Sequence, residues 1–250
     1  MTMSSAREDQ TADKHPYPLL HLVDHIPAKH ILTELMTSMY AVSIMIWDKD
    51  GNILSANDVV ARGLQQPSVE GMIGKNIAQL TPAEWAQERI KVARLALESK
   101  LRITFLEILG GYRLRTLFRP MTAQDDSKPG YLLVTVEQLT AREYEFASSE
   151  RTNEMVIHAN VIDLGRLDVL SSRELEVLAL MGQGFRAKDI AEQLCRSVST
   201  IDNHRDNIGD KLDIHDRGEL INLAKLAALQ VEDAHRTRVQ FSKYVDGSIE

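Results

Sequence analysis

Ser199, Asn203, Asp206 and Asp210 recur at intervals of three or four residues, with Thr200, Asp202 and Arg205 among them. At about 100° per residue this spacing gathers the four on one side of a helix, while Ile201, Ile208 and Leu212 fall in a narrow wedge on the other. The chemistry open to such a face is hydrogen bonding to a flat, polar partner. An amide such as Asn203 presents a donor and an acceptor side by side, a carboxylate such as Asp202 or Asp206 accepts from an amino group, and a hydroxyl such as Ser199 or Thr200 does either. Lys188, Arg205 and Lys211 stand close in sequence and supply positive charge for an anion such as phosphate.

Other chemistries are thinly represented. His21 and His25 lie four apart with His30 nearby, a spacing that suits a metal on a helix face. No cysteine accompanies them, and Pro27 interrupts the helix before His30, so no metal site is expected. Cys195, the one cysteine, has no disulfide partner in the chain and suits a small buried residue in a turn. The chain lacks a glycine-rich phosphate loop, a GxSxG elbow, an HExxH pair and a carboxylate pair in a recognisable setting. No catalytic residue is assigned, and the chain is read as a non-enzyme.

The elements that must position the polar face lie between residues 170 and 229. Ser171 and Glu174 form a capping-box pair at the start of a helix with the stripe Leu175, Leu178 and Ala179, which Gly182 and Gly184 end. Ile190, Ala191 and Leu194 give a second helix over residues 187–194, Cys195-Arg196-Ser197 a tight turn, and Ser197 an N-cap for the third helix. A fourth begins near Asp216 and carries Leu220, Leu223, Ala224 and Ala227 inward. A short helix, a tight turn and a second helix with a bare polar face is the helix-turn-helix arrangement, whose second helix fits the major groove of DNA.

The segments SRELEVLALMGQG, KDIAEQL, SVSTIDNHRDNI and DKL resemble the LuxR-type (GerE-type) four-helix DNA-binding domain of bacterial transcription regulators. The resemblance implies that residues 197–211 are the recognition helix and that residues 216–229 supply dimer contact. It also implies double-stranded DNA as partner of a homodimer, with RNA polymerase a further candidate. On that reading Ser199, Asn203 and Asp206 face base edges with Asp202 at the flank, and Lys188, Thr200, Arg205 and Lys211 contact phosphates. The sequence departs from the family pattern at Arg186, Cys195, Asp202 and Asp206. The two aspartates meet the negative field of the phosphates, yet either accepts a hydrogen bond from a cytosine amino group.

From Tyr40 the period becomes that of strands. AVSIMIWDKDGNILSAN is a hairpin turning at Asp50-Gly51, short helical pieces follow, and Thr81-Pro82-Ala83-Glu84 carries a capping box and a first-turn proline for a helix running to about Ser99. Three strands come next, over residues 101–109, from Tyr112, and over residues 131–138. In the middle one Tyr112, Leu114, Thr116 and Phe118 form an apolar face, and Arg113, Arg115 and Arg119 a cationic face that suits an anion or an acidic helix or, as the plainer expectation, is solvated. Five antiparallel strands with helices between the second and third, and the segments WDKDGNILSAN and GMIGKNIAQLTP, resemble PAS domains over about residues 40–140. In that family the domain senses a ligand, holds a cofactor or dimerises. Residues 41–140 contain neither histidine nor cysteine, so histidine-ligated haem and a cysteinyl-flavin adduct are not available there. No cofactor is evident. A noncovalently bound small effector stays open, with Trp47, Trp85, Phe105, Tyr112, Phe118 and Tyr131 as candidate pocket residues, or alternatively as plain core.

The whole is thus an α+β chain of 250 residues: a polar tail without fixed structure (1–18), a helical segment (19–39), a PAS-like five-stranded sheet domain (40–140), a helical linker (141–169), an all-α LuxR-type domain (170–230) and a charged tail (231–250). Neither a membrane-spanning run nor a signal-peptide core is present, which suggests a cytoplasmic protein acting at the bacterial nucleoid with no membrane partner. The net charge of −7 argues against coating nucleic acid indiscriminately, and residues 171–230 are themselves mildly acidic. Two functions follow: a dimeric, sequence-specific transcription regulator receiving a signal through its PAS-like domain, or an interaction protein whose helix-turn-helix serves dimerisation or partner binding.

Overall fold

The computed structural model describes residues 42–121, 130–148 and 155–241. The N-terminal tail, the helix expected over residues 19–39 and the three histidines within it lie outside the described residues.

The sheet begins with β1 (Ser43–Trp47) and β2 (Ile53–Ala56), paired antiparallel. The Asp48 carboxylate makes their turn, accepting from the amides of Asp50 and Asn52 at 2.9 Å each and from Asn52 Nδ2 at 2.7 Å. Helix α1 (Asp58–Gly63) is capped by Asn57. The long α2 (Ala83–Ser99) buries Trp85, Ala86, Arg89, Val92, Ala93 and Ala96, a stripe at helical spacing. Its start differs from the expected capping box: Pro82 is the N-cap, no side chain caps the helix, and the Thr81 hydroxyl donates backward to the Ile77 carbonyl at 2.8 Å. A short 3₁₀ turn over Ile77–Gln79 lies immediately upstream and competes for that hydroxyl.

Strands β3 (Ile103–Leu109), β4 (Tyr112–Met121) and β5 (Tyr131–Gln138) complete the antiparallel set, with β5 pairing both β1 and β4. Five antiparallel strands with helices between β2 and β3 form the PAS-like arrangement, in an α+β chain. A sixth strand extends it: the sheet order is β2-β1-β5-β4-β3-β6, where β6 (Met155–His158) runs parallel to β3.

That strand corrects the helical linker expected over residues 141–169. Only α3 (Ala141–Ser148) is α-helical among the described residues of the segment. The reason is an open edge. β3 is buried along its first six residues and needs a partner on its outer side, and Val156 and Ile157 are β-branched residues that suit one. The chain continues into β7 (Val161–Ile162) and a 3₁₀ turn at Gly165–Val169. Gly165 has φ +53°, and a Cβ there would stand 2.6 Å from the Gly110 carbonyl, so only glycine fits this junction.

Four helices follow: α4 (Ser172–Gly182), α5 (Ala187–Gln193), α6 (Val198–Leu212) and α7 (Arg217–Leu226). The segment read as a charged tail is built into the fold as far as Phe241. Val231–His235 form a 3₁₀ turn, β8 (Thr237–Arg238) pairs parallel with β7, and the Phe241 ring meets Trp85 edge-on at 5.1 Å. Apolar packing is continuous from the sheet unit through to the four helices.

The cationic face of β4 is likewise not solvated throughout. Arg113 is fully buried and paired with Asp233, also buried, and donates to the Ala228 carbonyl at 3.0 Å. Its guanidinium lies over the Tyr144 ring at 4.2 Å. Only Arg115 and Arg119 keep substantial exposure.

Candidate nucleic-acid interface

The polar face is positioned by three local devices. The first is the α4 capping box: Ser171 Oγ accepts from the Glu174 amide at 3.3 Å, and the Glu174 carboxylate accepts from the Ser171 amide at 2.7 Å and hydroxyl at 2.8 Å. The second is the turn between α5 and α6, where Cys195 takes φ +53° and the Arg196 amide donates to the Ala191 carbonyl at 2.8 Å. Cys195 is exposed, not the buried turn residue expected from sequence. The third is Ser197, whose hydroxyl accepts from the Thr200 amide at 3.1 Å and so caps α6.

Helix α6 is anchored by Ile201, Ile208 and Leu212, all buried. Gly209 lets the chain after the helix fold back, since a Cβ there would stand 2.8 Å from the Ile214 carbonyl. Opposite the anchors, Ser199, Asn203, Asp206 and Asp210 are exposed, and Thr200, Asp202, His204 and Arg205 are half-buried. A polar second helix is therefore presented on a rigid base, next to Lys188 exposed on α5.

Two of the cations on this base, Arg205 and Lys211, are already engaged. Arg205 pairs with Asp202 at 3.1 Å and with Asp206 at 3.2 Å, both on its own helix. Lys211 Nζ lies 2.7 Å from Glu174, the same carboxylate that completes the capping box. Burial alone would push the Glu174 carboxyl up, but the Lys211 ammonium and the Ser171 amide and hydroxyl outweigh it and hold it below the ordinary glutamate range. Lys211 is thus a strut between α4 and α6, and phosphate contact would compete with that role. A further basic residue, Arg196, is exposed in the turn immediately before α6, where its guanidinium donates to the Cys195 carbonyl at 3.0 Å.

The candidate pocket residues separate into two groups. Trp47, Trp85, Tyr112 and Phe118 line a cavity of about 510 Å³ between the inner face of the sheet and the helices. Phe105 and Tyr131 do not: Phe105 is core, packed edge-on against Phe118 at 6.1 Å, and Tyr131 starts β5 opposite Met121. The cavity also has buried polar walls. The Glu107 carboxylate accepts from Arg89 Nε at 3.0 Å and from the Thr116 hydroxyl. Asp163 accepts from the amides of Gly165 at 3.0 Å and Gly110 at 3.2 Å, while burial pushes its carboxyl above the ordinary aspartate range. Among the described residues no cluster of histidine, cysteine or carboxylates has the makings of a metal site, and no helix is long and apolar enough to cross a membrane.

Four short helices with a capped, outward-facing third define a helix-turn-helix domain of the tetrahelical kind. Residues 168–224 match the family model of bacterial regulatory proteins of the luxR family (GerE), and this segment is a LuxR-type domain. The chain is 43% identical over 75 residues to the oxygen regulatory protein NreC of Staphylococcus haemolyticus, taking in 29% of this chain and 35% of that protein. It is 35% identical over 92 residues to the Fimbriae Z protein of Escherichia coli K12, taking in 37% and 44%. The chain therefore spans less than half the length of these relatives. Among solved structures, a VqmA–ligand–DNA complex from Vibrio cholerae aligns with 86% of this chain and 95% of that one, at 18% identity and a TM-score of 0.47.

Proposed function

We propose that the chain is a bacterial transcription regulator in which the PAS-like domain receives a signal and the LuxR-type domain reads a DNA site as a dimer. The observation that supports this best is the α6 face: Ile201, Ile208 and Leu212 are buried, while Ser199, Asn203 and Asp206 stand exposed on the other side. In this reading Ser199, Asn203 and Asp206 meet base edges with Asp202 at the flank, and Lys188, Thr200, Arg205 and Lys211 meet phosphates. The acidic neighbours of Arg205 make the phosphate term small, so binding to random duplex is weak.

Asn203→Ala tests the assignment. It should weaken binding to a selected site by roughly 1–3 kcal/mol and leave binding to random duplex nearly unchanged, as measured by fluorescence titration. Equal losses on both duplexes would show that Asn203 does not read sequence. A second reading, an interaction module that uses its helices for a protein partner, is favoured by the engagement of Arg205 and Lys211 with carboxylates. Titration against a genomic fragment library at low and moderate salt separates the two, since a module of that kind retains no fragment even at low salt.

A further inference from the structure

The end of α6 remote from its N-cap is held by the chain that leads into the helical domain. The Leu212 carbonyl is among the last four of that helix, which find no amide partner within it, and the Arg166 guanidinium donates to it at 3.0 Å. A cation at this end also meets the negative pole of the helix. Arg166 is placed in turn by the 3₁₀ segment Gly165–Val169, which is anchored through Leu164, Leu167 and Leu170, all buried. Immediately before Arg166 the chain meets the turn between β3 and β4, backbone on backbone. The Gly111 amide donates to the Asp163 carbonyl at 3.1 Å, and the buried Asp163 carboxylate accepts from the amides of Gly110 at 3.2 Å and Gly165 at 3.0 Å. A Cβ on Gly111 would stand 3.0 Å from the Leu164 carbonyl, as close a fit as the one that requires glycine at Gly165. No side chain of these glycines cushions the contact, so in close-packed surroundings the turn cannot press on the linker without moving Gly165, and Arg166 with it.

We infer that Arg166 is a positioning residue for α6, and that the Gly110-Gly111 turn of the sheet bears on that helix through Gly165 and Arg166. This deepens the proposed DNA reading and rests on it. Base readout depends on how α6 is held, whereas nonspecific attraction to phosphates does not. In fluorescence titration of the full chain, Arg166→Gln should weaken binding to the selected site about fivefold, the size of one hydrogen bond, and leave random duplex and its salt slope nearly unchanged. Arg166→Lys, which keeps a cationic donor, should restore most of the loss. Arg166 is exposed, so both variants keep the fold. A pair of alanines tests the turn. Gly110 and Gly111 have φ +61° and +83°, so either substitution strains the backbone, but a Cβ on Gly110 meets nothing within 4 Å. Gly111→Ala should reproduce the Arg166→Gln loss, and Gly110→Ala should not. Hydrogen exchange without DNA reads the same contacts: the amides of residues 208–212 should exchange about fivefold faster in Arg166→Gln and Gly111→Ala than in the unaltered chain or Gly110→Ala. Equal losses on both duplexes with a shallower salt slope would make Arg166 a phosphate contact and overturn the inference. Unchanged exchange in Arg166→Gln, or glycine variants that behave alike, would overturn it too. If the unaltered chain retains no duplex, the DNA reading fails by itself, and the exchange comparison still decides whether Arg166 and the turn hold α6.

Discussion

Arg205 sits on the presented flank of α6 but is shared between Asp202 and Asp206, so its charge is largely cancelled before any phosphate arrives. Exposed pairs of this kind are worth only about 0.2–1 kcal/mol, and a duplex with its dense phosphate charge should compete for the guanidinium. Asp206→Asn should therefore raise affinity for random duplex several-fold at low salt, and steepen the salt dependence by about 0.9 for each phosphate newly neutralised. A titration at four salt concentrations measures both; an unchanged slope would mean Arg205 meets no phosphate. Residue types and spacing were enough to find this face, because Ser199, Asn203 and Asp206 and their buried counterparts obey one helical period. They were not enough to find the partner of Lys211, since Glu174 is 37 residues away and on another helix.

Helix ends were the most legible elements, because a cap is a contact within three residues. Ser171, Ser197 and Asp216 each cap the helix that follows. Ser171→Ala should cost about 1 kcal/mol, the usual size of a lost cap, seen as a shift in the denaturation midpoint. Glu174 adds a pH dependence. Its folded pKa lies below its unfolded value of about 4.5, so its contribution is fully present above that value and is lost as pH falls through the folded pKa. Glu174→Gln should flatten the acid limb of the stability curve, and an unaltered limb would assign it to other groups. Longer-range elements were not legible. The run from Ala141 onward is rich in helix formers, and α3 follows that propensity, but residues 155–158 are claimed by the open edge of β3, about 50 residues earlier in the chain. Thr81 shows the same limit at short range, its hydroxyl taken by the turn behind it instead of the helix ahead.

The two halves of the described structure are joined by an ion pair that no periodicity announces. Arg113 on β4 and Asp233 after α7 are 120 residues apart, both buried, and read separately as a solvated sheet face and a charged tail. Removing one partner of a buried pair leaves an uncompensated charge and costs about 3–5 kcal/mol. Asp233→Ala should lower stability by that amount, and Arg113→Met combined with Asp233→Leu should recover most of it; additive losses in a double-mutant cycle would show that the two do not depend on each other. The same region holds β7 against β8, with Val161 opposite Thr237 and Ile162 opposite Arg238. The helical domain is thereby moored at its entrance and its exit. A body on a single tether drifts by degrees, whereas one held at both moorings stays put until both give way, so the helical domain should come away from the sheet in one step.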